Sequence, residues 1–143
     1  MKRLSHPLST SVRDWEGALP KMLIGDSTRL KQVLVNLTKN ALKFSYRMPI
    51  TVKACFDVAN ELLVVHVVDN GVGIEPNDLQ KLRNYLCQEE DPDAGSFSCD
   101  GMGLTVCKKI VEHTGGTIDC YSEGKGHGCT VMFSMKMSTS SQL

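Results

Sequence analysis

The sequence lacks the features that mark membrane-spanning, secreted and nucleic-acid-binding proteins. Its 143 residues contain no apolar run of about 18 residues, the length a membrane-spanning helix needs, and no apolar leader follows Met1. The 16 basic residues are matched by 16 acidic ones, so the formal net charge is zero. This balance argues against a strongly basic nucleic-acid surface and against a membrane-surface domain. We therefore expect no nucleic-acid partner and no direct insertion of this domain into a membrane.

The sequence also lacks any Cys-x-x-Cys pair among its six cysteines. Zinc binding and dithiol redox chemistry therefore have little support. Several of the cysteines lie among apolar residues or in strand-like runs, as reduced core cysteines do. We interpret this as a reducing, cytoplasmic environment, although a secreted domain of this size could use disulfides without needing them.

The length and the hydrophobic content of 41% fit one globular domain with a substantial core. We predict a lead-in over residues 1–18 with a possible edge strand at 9–15, a domain over 19–137 and a flexible tail over 138–143. Within the domain, periodicity and turn residues predict helices over 27–44, 78–86 and 104–113, strands over 50–58, 62–68, 117–122 and 129–137, and a mobile loop over 87–99. In the helix over 104–113, Val106, Ile110 and Val111 are predicted to face inward, and the glycines at 115 and 116 are predicted to end the helix. The 62–68 run is almost continuously apolar, which predicts a strand buried on both faces. This order predicts an α/β sandwich with helices on one face of a mixed sheet.

The sharpest functional signal is Asp-Asn-Gly-Val-Gly at residues 69–73, where an apolar run ends in a carboxylate. Asn-Gly is the commonest hairpin signal, but a two-residue hairpin needs a strand directly afterwards, and this segment leads to a helix instead. Asp69 can accept a hydrogen bond from the exocyclic amine of adenine, whereas the carbonyl of guanine would be repelled. Gly71 and Gly73 would let the backbone approach a base without a Cβ clash. On these residues alone, a simple turn and an adenine site are equally good explanations.

A second signal lies in the first predicted helix, where Asn36, Asn40 and Lys43 are spaced four and three residues apart. They share a stripe beside the apolar one. Such a stripe is usually a solvated face, but two asparagines in mid-helix are costly by propensity. Amide oxygens suit Mg²⁺, which takes few protein ligands and keeps phosphates and waters as the others. Lys43 would add a point charge for a phosphate.

The third signal is Asp-Gly-Met-Gly-Leu at residues 100–104, which opens the last predicted helix. Glycine-rich starts are often simple turns, yet the free N–H groups and the dipole of a helix N-terminus favour an anion. Gly101 and Gly103 fit neither the dinucleotide Gly-x-Gly-x-x-Gly pattern nor a Walker A loop, and residues 124–128 lack the Walker spacing as well. We interpret residues 124–128 as a β-turn that could line the pocket.

Taken together, these segments resemble the catalytic and ATP-binding domain of sensor histidine kinases, within the gyrase, chaperone, histidine kinase and mismatch-repair ATPase superfamily. Residues 26–45 match the N box, 69–74 the G1 box, 101–116 the G2 region and 122–130 the closing turn. The resemblance covers about residues 19–137. It implies an α+β fold, a two-layer α/β sandwich of the Bergerat type with helices on one face of a mixed, mostly antiparallel sheet.

The resemblance implies ATP and Mg²⁺ as cofactors and assigns roles to the candidate residues. Asp69 would contact adenine, Asn40 would be the principal Mg²⁺ ligand, and Asn36 and Lys43 would support the phosphate region. The other pocket residues that it implies are Phe44, Gly71, Gly73, Ile74, Gly101, Gly103, Leu104 and Thr130.

The resemblance also implies a reaction, transfer of the γ-phosphate of Mg-ATP to a histidine in two-component signalling. In such kinases that histidine lies on a separate dimerisation domain, which has no match here, and a receiver domain acts downstream. We therefore expect one cytoplasmic domain of a larger kinase, inactive in phosphotransfer without its acceptor domain. Hydrolysing members of the superfamily carry a glutamate at the position of Asn36. An amide cannot take a proton from water at neutral pH, so Asn36 favours phosphoryl transfer over hydrolysis.

Three positions depart from the family pattern. Arg83 and Leu86 replace the usual two phenylalanines before the lid, and Cys99 stands where the G2 box begins with glycine. These changes motivate an alternative, a catalytically degenerate nucleotide-sensing or docking module of the same fold. A hydrolysing ATPase is a further alternative, against which Asn36 argues.

Overall fold

The computed structural model describes residues 10–14, 19–45, 49–87 and 104–139 of the chain. Three helices lie in these ranges, α1 (Ser27–Phe44), α2 (Pro76–Cys87) and α3 (Leu104–His113). Seven strands accompany them: β1 (Thr10–Asp14), β2 (Leu23–Ile24), β3 (Ile50–Asp57), β4 (Leu62–Asp69), β5 (Ile118–Tyr121), β6 (Cys129–Lys136) and β7 (Ser138–Thr139). The predicted helices and strands are confirmed in kind and order. The predicted loop at 87–99 lies outside the described residues, apart from Cys87 at the end of α2.

Helix α1 begins where the sequence predicts because a capping residue precedes an amphipathic run. The Asp26 carboxylate accepts a hydrogen bond from the Arg29 backbone N–H at 3.0 Å, which satisfies one of the N–H groups left open at a helix start. The apolar stripe of α1 is buried at Val33, Leu37 and Ala41. Burial of this stripe fixes the rotation of the helix and so the direction of its polar stripe.

The main sheet has five strands in the order β1-β3-β4-β6-β5. Strand β1 runs parallel to β3, whereas the β3–β4, β4–β6 and β5–β6 pairs are antiparallel. The prediction of a mixed, mostly antiparallel sheet is therefore confirmed, and so is the edge strand near the start of the chain.

A second, two-stranded sheet joins β2 to β7. Leu23 pairs with Thr139 and Ile24 pairs with Ser138. The prediction of a flexible tail from residue 138 onward is wrong for Ser138 and Thr139, because a strand partner lies just before α1. Residues 140–143 lie outside the described part of the chain.

Strand β4 is the central strand of the main sheet, but it is not buried on both faces as predicted. Leu63, Val65 and Val67 are buried towards the helices, while Val64 and His66 on the opposite face are only half-buried. The helical layer covers one face, and an apolar run cannot by itself show whether a second layer is present.

Helices α1 and α3 pack against each other in opposite directions. Arg29 near the start of α1 lines the same groove as His113 at the end of α3, and Asn36 in mid-α1 hydrogen-bonds Cys107. Four further residues along α1 span about 6 Å and bring Asn40 towards the start of α3. This packing therefore places the second half of α1 beside the N-terminus of α3.

Helix α3 buries Ile110 and Val111 as predicted, but Val106 is 44% exposed, so its predicted inward position is wrong. The helix ends at the predicted glycines. Gly115 has a φ of 81°, and the Gly116 N–H donates to the Val111 carbonyl at 2.9 Å. These features form a Schellman motif, in which glycine supplies the left-handed residue that closes the helix.

Candidate nucleotide site

Asp69 ends strand β4 and is a buried carboxylate, with 9% of the residue exposed. Its Oδ1 accepts two backbone hydrogen bonds, from Gly71 at 2.9 Å and from Cys129 at 3.2 Å. Burial raises the pKa of Asp69, and the two N–H donors offset part of that rise. Both bonds fall on the same oxygen, so these two donors leave the acceptor capacity of Oδ2 unused.

The segment after Asp69 is bound to the glycine-rich turn between β5 and β6. The Gly126 N–H donates to the Val72 carbonyl at 2.7 Å, and the Gly128 N–H donates to the Gly71 carbonyl at 3.2 Å. These backbone bonds hold residues 71–74 against residues 122–128. The β-turn predicted at residues 124–128 therefore lies directly beside the predicted adenine site.

Ser122 joins the two loops beside Asp69, a structural role that the sequence did not indicate. It is 7% exposed, its Oγ accepts a hydrogen bond from the Ile74 N–H at 3.0 Å, and the same hydroxyl donates to the Gly128 carbonyl at 2.6 Å. One side chain thus fixes both ends of the contact between the two loops. A lone serine before a glycine-rich turn gives no signal that it bonds a segment 48 residues away.

Gly73 is required for a different reason from the predicted approach to a base. Its φ is +70°, and a Cβ there would lie 2.1 Å from the Gly124 carbonyl oxygen. The contact that excludes a side chain is therefore made by the protein's own backbone. Gly71 contributes its N–H to Asp69 and its carbonyl to Gly128.

Thr130 was predicted to line the pocket, and the strand register contradicts this. Asp69 pairs with Cys129, while Thr130 pairs with Val68. Because successive side chains of a strand point to opposite faces, Cys129 shares the face of Asp69 and Thr130 lies on the other face. Cys129 is therefore the β6 residue that belongs to the site, and a one-residue shift in register separates it from the prediction.

The packing of α1 on α3 fixes the direction in which the polar stripe of α1, formed by Asn36, Asn40 and Lys43, faces. Asn36 and Asn40 are half-buried and Lys43 is exposed, and both Asn40 and Lys43 make polar interactions. Burial raises the pKa of the Cys107 thiol, and the hydrogen bond with the Asn36 side chain offsets only part of that rise. Two asparagines in mid-helix are thus partly enclosed rather than fully solvated.

The last residues of α1 and of β4 lie at the same end of the domain. Strand β3 starts shortly after α1, and the Asn70 side chain donates to the Pro49 carbonyl at 3.2 Å. Asp69, the second half of α1 and the start of α3 therefore lie at one end of the domain. The side chain of Phe44 lies outside the described part of the molecule, as do Gly101 and Gly103.

Leu104 and Ile74 attach this end of the domain to the hydrophobic core. Leu104 is 1% exposed and belongs to the hydrophobic core, so its side chain anchors the start of α3. Ile74 is half-buried and packs against the same core. For Leu104 the group available to an anion is the backbone of the helix N-terminus, not the side chain.

The donor set of the site suits a hard cation that takes few protein ligands. The described residues contain no group of three or more His, Cys, Asp or Glu side chains that could hold a metal ion. The site instead offers the amide oxygens of Asn36 and Asn40, which match the preference of Mg²⁺ for oxygen with phosphates and waters completing the shell. Asn40 and Asn36 thus fit Mg²⁺ better than they fit a transition metal.

The two departures from the family pattern in α2 have structural roles. Arg83 forms a bidentate pair with Asp119, with both hydrogen bonds at 3.0 Å, and so joins α2 to β5. Leu86 is 2% exposed and belongs to the core. Their side chains hold α2 on the sheet. Cys99, the third departure, lies outside the described residues.

Comparison with protein families finds a match over most of the chain. The model of the histidine kinase-, DNA gyrase B- and HSP90-like ATPase family matches residues 25–139. The aerobic respiration control sensor protein ArcB of Escherichia coli K12 is 36% identical over 115 residues. That alignment covers 79% of this chain and 15% of ArcB, and ArcB of Shigella flexneri gives the same values. The chain thus spans a small part of the curated relatives that it matches.

Solved structures of histidine kinases share the fold. Full-length ShkA in complex with AMPPNP superposes with a TM-score of 0.68 at 22% identity, over 93% of this chain and 27% of ShkA. The mycobacterial sensor histidine kinase MprB gives 0.65 at 21% identity, over 90% of this chain and 83% of MprB. The catalytic domain of the histidine kinase ThkA gives 0.62 at 24% identity, over 89% of this chain and 76% of ThkA. Among the described residues, no helix is long and apolar enough to cross a membrane.

Proposed function

Because this chain belongs to the histidine kinase-, DNA gyrase B- and HSP90-like ATPase family and is the ATP-binding domain of a histidine kinase, we propose that it presents the γ-phosphate of Mg-ATP to a histidine on a separate dimerisation domain. A receiver domain would act after that histidine. The free thiols among the described residues support a reducing, cytoplasmic location.

The observation that carries this proposal is the geometry of Asp69. A buried carboxylate at the end of a central strand has one oxygen engaged by two backbone N–H groups, which leaves its second oxygen as the acceptor for a ligand in this proposal. An acceptor held in this way discriminates between purines, because adenine presents an amine where guanine presents a carbonyl. Asp69 would therefore select the base.

The second half of α1 would hold the metal and the phosphates. Asn40, with Asn36 beside it, would offer amide oxygens to Mg²⁺, and Lys43 would offer its ammonium group to phosphate. When bound, Mg²⁺ neutralises charge on the phosphate oxygens. Phosphoryl transfer needs mainly positioning and charge stabilisation, and the N-terminus of α3 can add its dipole.

In this proposal, Asn36 favours transfer of the phosphoryl group to histidine over hydrolysis by water. Its amide is half-buried and hydrogen-bonds the Cys107 thiol. A neutral amide has no basic site with which to take a proton from water. The phosphoryl group would therefore await a histidine nucleophile rather than being lost to water.

The direct test supplies the histidine. The domain is mixed with the separately purified dimerisation domain of its parent kinase and with ATP labelled on the γ-phosphate. Acid-labile label on the acceptor histidine is expected, and it should disappear with Asn40→Ala while Lys53→Ala, a change on the exposed side of the sheet, leaves it intact. Nucleotide binding without labelled histidine would instead identify a degenerate module. Steady phosphate release without the acceptor would identify a hydrolase.

A further inference from the structure

A groove separate from the nucleotide site lies between the start of α1 and the second half of α3. Its volume is about 350 Å³, and it is lined by Arg29, Gln32, Val106, Lys109, Ile110 and His113. We name it the α1/α3 groove. Because the two helices run in opposite directions, it lies towards the end of the domain opposite to Asn40 and the start of α3.

The floor of the α1/α3 groove is apolar. Ile110 is buried at its base, and Val106 beside it is 44% exposed. Val106 and Ile110 are four residues apart on one face of α3, as are Lys109 and His113. The α1/α3 groove therefore places one exposed branched apolar side chain, Val106, beside the buried Ile110.

The rim of the α1/α3 groove is basic. Arg29, Lys109 and His113 are exposed and surround the apolar floor, and none of the six described lining residues is acidic. Arg29 lies 3.7 Å from Asp26, an exposed pair whose charges water largely screens. Glu112, which precedes His113 in α3, pairs with Lys108 at 3.5 Å. A ligand would therefore meet a positive rim around an apolar centre.

We propose that the α1/α3 groove docks an acidic amphipathic helix from a partner protein. The distance from Val106 to His113 along α3 is about 10 Å, or two helical turns, which matches the i, i+3/i+4, i+7 spacing of a helix in a groove. One or two aliphatic side chains of the partner would cover Val106 and Ile110. Its flanking glutamates or aspartates would face Arg29 and Lys109, which speeds association and excludes basic helices. This docking needs no nucleotide, so the proposal does not depend on whether the domain takes part in phosphotransfer.

The test uses a fluorescent 16-residue helical peptide with leucines at positions 3, 6, 7 and 10 of its own sequence and glutamates on both flanks, a spacing taken from the helix-in-groove pattern in roughly this length. A matched peptide carries lysine at every glutamate. Fluorescence anisotropy should show binding of the acidic peptide only. Val106→Asp and Lys109→Glu should each weaken it by about tenfold or more, the result of losing one central interface residue. Lys53→Glu, a charge reversal on the exposed side of β3, should leave it unchanged.

Circular dichroism and ATP titration of the same variants establish that fold and nucleotide site are intact. Equal binding of acidic and basic peptides, absence of binding, or equal effects of Lys109→Glu and Lys53→Glu would overturn the proposal. Two other occupants would also overturn it. Concentration-dependent dimerisation that Val106→Asp abolishes would identify a second copy of the chain. Tighter peptide binding after replacing Glu89, Glu90, Asp91 and Asp93 by serine would identify the chain's own acidic segment.

Discussion

At the scale of single residues, Asp69 shows how the fold buries a carboxylate and directs two backbone donors to one of its oxygens. The strand ends at Asp69, the next residues turn back, and two backbone N–H groups converge on one of its oxygens. The sequence alone led us to predict that Asp69 contacts adenine, but it could not indicate that the Cys129 backbone N–H is the second donor to this carboxylate. That partner lies 60 positions away and depends on the register between β4 and β6.

The raised pKa of Asp69 predicts a pH dependence of nucleotide binding. The largest cause of the raised pKa is burial, which favours the protonated form. The folded carboxyl therefore keeps its proton at pH values above its ordinary pKa of 3.8. The contribution of Asp69 to stability is therefore full below 3.8 and is lost as pH rises through the folded pKa. Adenine binding would change with pH in the opposite direction, because an ionised carboxylate is a stronger acceptor for the amine than a protonated carboxyl.

We therefore expect ATP affinity to fall as pH is lowered from about 7, with the fall beginning above the titration range of an exposed aspartate. Isothermal titration calorimetry over this range measures it. Asp69→Asn, which cannot titrate, is the control and should lack this component. Parallel pH profiles for the two proteins would mean that Asp69 does not touch the base.

At the scale of elements, the contact between residues 71–74 and the turn at 122–128 holds the site in shape. Gly73 and Gly126 both have positive φ, but only a side chain at Gly73 would strike backbone, the Gly124 carbonyl, whereas nothing lies within 4 Å of a Cβ at Gly126. Both alanine variants incur left-handed strain of about 1–2 kcal/mol. The difference between them isolates the steric clash.

Gly73→Ala should therefore lower the free energy of unfolding well beyond Gly126→Ala and weaken ATP binding, while Gly126→Ala should bind nearly as the parent does. Urea unfolding and calorimetry report the two effects. Equal losses in both variants would show that the two loops separate readily and do not form a fixed frame.

Helix α2 gives a second comparison between neighbouring positions. Leu86 is 2% exposed, so Leu86→Ala should cost about 2–5 kcal/mol of unfolding free energy from lost burial and a cavity. The Arg83 and Asp119 side chains are 49% and 26% exposed, so Arg83→Ala should cost less than about 1 kcal/mol. Thermal and urea unfolding compare them. A larger loss for Arg83→Ala than for Leu86→Ala would contradict the assigned roles.

The elements also show where prediction from sequence succeeds and where it stops. Periodicity predicted all three helices and the main strands because each has one buried stripe or face. It misplaced Val106, which is 44% exposed, because helical spacing shows which residues share a face but not how much of that face other elements cover. It misjudged β4 because an apolar run does not report how many layers enclose it. The pairing of β7 with β2 was missed because two-residue strands carry no period.

At the scale of the whole molecule, the topology brings three distant segments to one end of the domain. Antiparallel packing of α1 on α3 and the bond from Asn70 to Pro49 align the second half of α1, the start of α3 and Asp69. The family resemblance, not periodicity, predicted that these segments meet. The same topology places Thr130 on the face opposite to Asp69, a detail that motif matching gets wrong by one residue.

Stability of the whole domain should decline in alkali because of two thiols, of which Cys120 is buried and Cys129 is half-buried. Burial is the largest cause that raises the pKa of Cys120 and of Cys129 from 9.0 to about 12. The unfolded thiols ionise first, so this stabilisation is full below pH 9.0 and is lost as pH rises from 9.0 to about 12. Urea unfolding at increasing pH should show that loss. In the Cys120→Ala, Cys129→Ser double variant, the free energy of unfolding should fall less steeply with pH. The same slope in the variant and the parent would contradict this prediction.

The central claim is that Asp69 recognises adenine, and calorimetric titration of Mg-ATP and Mg-GTP into the parent protein and Asp69→Asn tests it most directly. The variant keeps an oxygen for the Gly71 and Cys129 donors but places an NH₂ group where Oδ2 accepts. We predict that the parent binds ATP at least about tenfold more tightly than GTP, the value of one charged hydrogen bond of about 1.4 kcal/mol or more. Asp69→Asn should lose that preference. Equal binding of ATP and GTP by the parent, or an unchanged preference in Asp69→Asn, would contradict the claim.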